Sequence, residues 1–281
     1  MPTQMNLRPL FAPASGIPSL VPERVAAAYS VAGLDAPTVP GHAIGAALRA
    51  IPDAPALARQ LVGEAHDYSD EDPAVWLDSA RARLADAQAL DLLRETWART
   101  GGEALAARGP RLTDQAASDL RGAFDKAVRG LTQAVAKLDP ARPLDPETAV
   151  ARDAGAALTT ARRELARLGA FAGIHPAVLN TGYGSLNKLA PILAIEGAAV
   201  ERIAHSVGEH RTVLNEDQLG TTRAVRRLAE DGKQDLDLAV LGVARGDYQG
   251  VSLRLNSTRQ RQETLEQVST ALVLADMPIS L

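Results

Sequence analysis

A chain of 281 residues with 46% hydrophobic but only 3% aromatic residues draws its apolar content mostly from Ala, Leu and Val. Each buried side chain then returns little area at about 25 cal/mol per Å², so many aligned contacts, or partner chains, must make up the difference. A net charge of −4 excludes a global basic field for nucleic acid or an anionic membrane, and the absence of cysteine excludes disulfides, thiolate metal sites and cysteine nucleophiles together.

Residues 1–40 hold seven of the 17 prolines, which predicts a largely extended arm with one short helix at Glu23 to Val31, suited to docking on another copy or a partner. Pro9, Pro13 and Pro18 interrupt the apolar residues at the N-terminus, so no signal peptide is read there. Short helices are expected at His42 to Ala50 and Ala54 to His66, followed by the acidic loop Asp67, Asp70, Glu71 and Asp72. That loop lacks the alternating ligands and central Gly of a calcium loop. Its Tyr68 and Asp72 match a Y-x-x-x-D secretion-signal spacing that is treated as coincidence.

Three long helices come next. The first opens at Asp72-Pro73, a capping carboxylate before a proline at the first helical position, and carries Trp76, Ala80, Leu84, Ala87, Leu90, Leu93 and Trp97. Gly101-Gly102 and then Gly109-Pro110 are its expected breaks. The second, Thr113 to Leu138, repeats Ala117, Phe124, Leu131 and Leu138 at a coiled-coil spacing of seven, with Leu120, Ala127 and Ala134 between them. The third runs from the Asp145-Pro146 cap to Ala172, with Ala151, Leu158, Leu165 and Ala172 on one face and Gly173 as its stop. The short connection from Asp139 to Leu144 predicts that the second and third are antiparallel neighbours.

After Gly173 the period breaks, and Asn180 to Ser185 reads as a loop entering a new region. Gly182, Gly184 and Lys188 match no phosphate-loop motif and have no convincing strand before them. The longest apolar run, Leu189 to Val200, contains Pro191 and Glu196 and falls short of the roughly 20 residues a membrane span needs. A helix is expected at Ala198 to Val207, and Glu201, His205, Glu209 and His210 on and beyond it form the richest titratable cluster. Their spacing misses the H-E-x-x-H and H-x-x-E-H zinc patterns, and a solvated polar face is the expectation. A further helix runs from Thr221 as N-cap to Asp231, stopped by Gly232. Asp235 to Asn256 reads either as a β-hairpin around Arg245-Gly-Asp247 or as two helices, with helix preferred; the tripeptide itself is a turn.

The stretch Thr221-Thr-Arg-Ala-Val-Arg-Arg-Leu-Ala-Glu-Asp-Gly232 resembles the recognition helix of winged helix-turn-helix domains. The resemblance implies that Thr222, Arg223, Arg226 and Arg227 would meet phosphates and base edges, with the hairpin after Asp235 as the wing. Against that stand Glu230, Asp231, Asp235 and Asp237, which repel a nucleic-acid backbone.

The expected fold is mainly α: a proline-rich arm at 1–40, a long antiparallel helical bundle at 41–173, and a smaller C-terminal region at 174–281, helical or α+β. No catalytic residue, cofactor or metal site is assigned, because no acid, base and nucleophile converge. The expected function is non-catalytic: a structural or assembly protein of the cytoplasm that self-associates or binds protein partners through helix faces. Incorporation into a phage virion or a secretion apparatus is the architectural analogy. DNA binding through Arg223, Arg226 and Arg227, within a winged element at 221–256, is the alternative.

Overall fold

The computed structural model describes residues 10–11, 21–38, 42–66, 72–175, 184–196 and 216–275, and most of these are helical. Two compact units divide the chain: residues 37–109 form one, and residues 1–36 with 110–281 form the other.

The smaller unit contains α1's two successors and most of the longest helix. Numbered in chain order, α1 is Val21–Ala32, α2 His42–Ala50, α3 Ala54–His66 and α4 Pro73–Asp119. Helices end with orphaned N–H and C=O groups, and α4 supplies partners for both kinds. Asp91 accepts the N–H of Ala54, the first residue of α3, at 2.8 Å. Three residues on, Arg94 donates to the carbonyls of Leu48 at 2.9 Å and Ile51 at 2.7 Å, at the C-terminal end of α2. Each charge has the sign that the helix dipole favours at that end. Asp72 caps α4 through the N–H of Ala74 at 3.0 Å.

Neither glycine pair stops α4. The helix passes Gly101-Gly102 and includes Pro110, contrary to the expected breaks. Proline fixes φ near a helical value and forfeits one backbone bond, a loss a long helix can carry when the rest of its ladder is intact. The interruption falls instead at Leu120, between α4 and α5 (Arg121–Val135). Leu120 N–H still donates to Ala116 O, and Phe124 N–H to Leu120 O, both at 2.9 Å, so the heptad stripe crosses the break unshifted. Ala117, Leu120, Phe124, Ala127, Leu131, Ala134 and Leu138 are all buried in the core of the larger unit.

The third expected helix is two. Asp145 caps α6 (Pro146–Ala151) by accepting from Thr148 N–H at 3.0 Å, after which Asp153 takes φ +54° and Ala154 N–H reaches back to Ala149 O at 2.7 Å. Asp tolerates the left-handed region better than most residues, so the chain turns there and restarts as α7 (Gly155–Ala172). Leu158, Ala161, Leu165, Leu168 and Ala172 are buried, whereas Ala151, on α6, is exposed. Helices α5 and α7 pack together, with the rings of Phe124 and Phe171 edge to face at 6.1 Å between centroids.

In the rest of the larger unit, α8 (Leu186–Leu189) leads through a 3₁₀ turn into β1 (Leu193–Ile195). After α9 (Glu216–Gln234) and α10 (Leu236–Arg245), β2 (Val251–Leu253) pairs antiparallel with β1, Leu193 opposite Leu253, and α11 (Thr258–Ala275) closes the described chain. No hairpin therefore lies within 235–256. Its first half is helical because Asp235 caps α10 through the N–H groups of Asp237 and Leu238, and Gly246 ends it at φ +86°. The second half is a strand, not a second helix, because β1 and the Asn256 amide hold the segment extended. Asn256 Nδ2 donates to the carbonyls of Ala190 at 2.8 Å and Leu193 at 2.6 Å.

The N-terminal residues that are described are core, which corrects the picture of an arm docked elsewhere. Phe11, Val21, Val25, Ala28 and Tyr29 are buried in the larger unit, and Tyr29 Oη donates to Asp119 at 2.6 Å. Proline spacing excludes regular structure but says nothing about which surface an irregular segment covers.

Candidate functional site

The three arginines of the nucleic-acid reading lie on α9, which begins at Glu216, five residues before the expected cap. Thr221 and Thr222 are thereby interior helical residues, and both are buried, so Thr222 cannot meet a phosphate as the resemblance implied. Gly232 does not stop the helix; a Cβ there would lie 3.0 Å from Ser185 Oγ, so glycine at 232 lets α9 approach Ser185 closely. Arg223, Arg226 and Arg227 are exposed. Arg226 Nε stands 3.5 Å from Glu230, and Arg227 Nε 3.6 Å from Asp231, each one helical turn away. Arg227 also lies over the Tyr248 ring at 5.8 Å, and the Tyr248 hydroxyl donates to Asp231 at 2.8 Å. Burial and the hydrogen bond to Asp231 push the Tyr248 phenol well above its usual range. The face is thus a mixed one of paired charges, and the wing that would flank it is replaced by α10.

Glu201, His205, Glu209 and His210, with the expected helix at 198–207, lie outside the described residues, as do Asp67, Asp70, Glu71 and residues 180–183. Among the described residues no group of three or more His or carboxylate side chains is placed to hold a metal ion. Arg245 Nε donates to both oxygens of Asp247 at 2.8 and 2.9 Å around left-handed Gly246, so the Arg-Gly-Asp tripeptide forms a closed structural turn.

Two buried polar centres escaped the sequence reading. His175, three residues past α7, sets Nε2 2.8 Å from the Asn256 carbonyl, which requires the proton on Nε2 and leaves Nδ1 a buried acceptor with no hydrogen-bond partner. Burial, with a smaller contribution from the Arg261 charge, lowers the imidazole pKa to about 4. Asp237 accepts the N–H groups of Leu10 at 2.9 Å and Phe11 at 2.6 Å. Its burial raises the carboxyl pKa against the lowering effect of those two bonds. A lone His after a helix stop and a second Asp beside a cap carry no sequence signal of burial. An open polar groove of about 450 Å³ lies between Asp114, Ser118, Arg121, Ser257, Gln260 and Glu263. Its charges serve the fold: Asp114 accepts Thr258 N–H at 2.6 Å, and Glu263 pairs with Arg259 at 2.7 Å.

The smaller unit presents a different kind of surface. Ile44, Ile51, Val62, Val75, Leu77, Leu92 and Leu93 are exposed, with Leu92 at 66% and Val62 at 60%, while its described buried apolar residues are only Leu48, Ala54, Leu61 and Ala87. The Trp76 to Trp97 face is half-buried, and Leu93, expected on that face, is exposed. A Leu92-Leu93 doublet, one member off the stripe, was the available signal. No family model, curated protein or solved structure matches the chain.

Proposed function

We propose that this chain is a non-catalytic structural or assembly protein that acts through helix-mediated protein–protein contacts, as a component of a self-assembling particle of the virion or secretion-apparatus kind. One observation carries the reading: seven large apolar side chains of a small helical unit face solvent, more than that unit buries. Large apolar groups left in water are a standing free-energy cost that a partner's surface removes. In this reading the larger unit is the rigid base. Its α5 and α7 run antiparallel, since Phe124 meets Phe171 while a Cβ on Gly130 would lie 3.4 Å from Glu164 Cγ, the partner number falling as the other rises. Close approach at Gly130 seats the buried Glu164, which Arg163 and Arg167 hold at 2.7 and 3.2 Å.

Sedimentation velocity and light scattering over a concentration series test the proposal. The wild-type chain should self-associate or capture its assembly partners, and Leu77→Glu with Leu92→Glu should abolish that association while leaving far-UV circular dichroism unchanged. A variant that associates as strongly as wild type would remove the helix faces from the assembly.

A further inference from the structure

Asp237 stands in the first turn of α10 and is buried, and both of its oxygens are taken by successive backbone N–H groups from a segment more than 220 residues away. The second of those residues, Phe11, is wholly buried. An ionised carboxylate facing two adjacent N–H groups beside an apolar ring pocket is a built receptor for one ligand chemistry: an extended peptide with two free consecutive amides and an aromatic side chain on the second. Pro9 precedes the pair and has no N–H of its own. Nine residues, including Pro13 and Pro18, separate Phe11 from α1 and could span roughly 30 Å when extended.

We propose that Leu10–Phe11 is an exchangeable strap, whose receptor at Asp237 takes the same segment from a second copy of the chain. A second copy is the occupant because it presents this ligand by construction. Every contact made within one chain is remade between two, so exchange forfeits no bond and costs only the advantage of the tether. That advantage corresponds to an effective concentration on the order of millimolar. Exchange therefore belongs to concentrated chain, the condition inside an assembly. The inference is independent of the helix faces of the smaller unit.

Complementation between two full-length variants tests it. Phe11→Ala spoils the strap and keeps the receptor; Asp237→Ala spoils the receptor and keeps the strap. Co-refolded at roughly millimolar chain, wild type should form a dimer by sedimentation velocity, and each variant alone should lose at least tenfold of that dimer. An equal mixture of the two should recover dimer that neither forms alone, because one intact strap meets one intact receptor. All samples share the same smaller unit, so recovery on mixing reports the strap alone. Should the alanine variants lose helicity, Phe11→Leu and Asp237→Asn make the same comparison. A wild-type chain that does not dimerise under these conditions, or a mixture no more dimeric than its components, overturns the proposal.

Discussion

The imidazole of His175 places Nε2 2.8 Å from the carbonyl oxygen of Asn256, and the ring is neutral in the fold because burial holds its pKa at about 4. An unfolded histidine takes up its proton near pH 6.5, so between those values the unfolded state binds more protons and stability falls as pH falls. The full shift corresponds to about 3 kcal/mol, lost progressively from pH 6.5 down to about 4. Asp237, with its carboxyl pKa raised, acts in the opposite sense at the acid end. Thermal melting of wild type and His175→Gln at pH 7, 6, 5 and 4 should show a steeper loss in the wild type. Parallel curves would mean that His175 is not the group responsible.

Leu131 and Leu165 are both wholly buried in one core. Leu131→Ala should cost about 2–5 kcal/mol, and Leu131→Asp more, since it buries a carboxylate without a partner. Chemical denaturation measures both, and an unchanged midpoint in either would contradict the packing of α5.

Deleting residues 1–22 should destabilise the larger unit, because it removes Phe11 and Val21 from the core and leaves Asp237 without its two donors. The expected loss is several kcal/mol. A truncated chain that melts like wild type would return the segment to the role of a detached arm.

Asp145→Ala should cost about 1 kcal/mol, through loss of the cap that accepts Thr148 N–H and opens α6. Thr148 side-chain and backbone hydrogen bonds hold the Asp145 carboxyl below its ordinary value, so the cost should shrink as acid protonates it. Denaturant midpoints for both proteins at pH 7 and pH 3 are the check.

Arg226 and Arg227 are matched by Glu230 and Asp231 along α9, so wild type should bind duplex DNA only weakly at physiological salt. Replacing Arg223, Arg226 and Arg227 with Ala should change that binding little. Nanomolar, sequence-selective binding abolished by the triple substitution, with a flattened salt dependence, would favour the nucleic-acid reading over assembly.

Sequence alone determined the features that depend on neighbours along the chain. The seven-residue stripe from Ala117 to Leu138 is buried throughout, the limits of α2 and α3 fall where expected, and Asp72 and Asp145 cap the helices they precede. Periodicity and capping act over one or two turns, and a linear reading sees that range directly. Tertiary structure decided what depends on distant partners. Pro110 sits within α4, while Leu120 and Asp153 mark breaks that no proline or glycine announces. Val251 to Leu253 is a strand only because Leu193 to Ile195 lies beside it. Leu10 and Phe11 are anchored only because Asp237 faces them across more than 220 residues. A backbone N–H in an irregular segment must find an acceptor, but composition does not say which one, and long-range packing makes that choice.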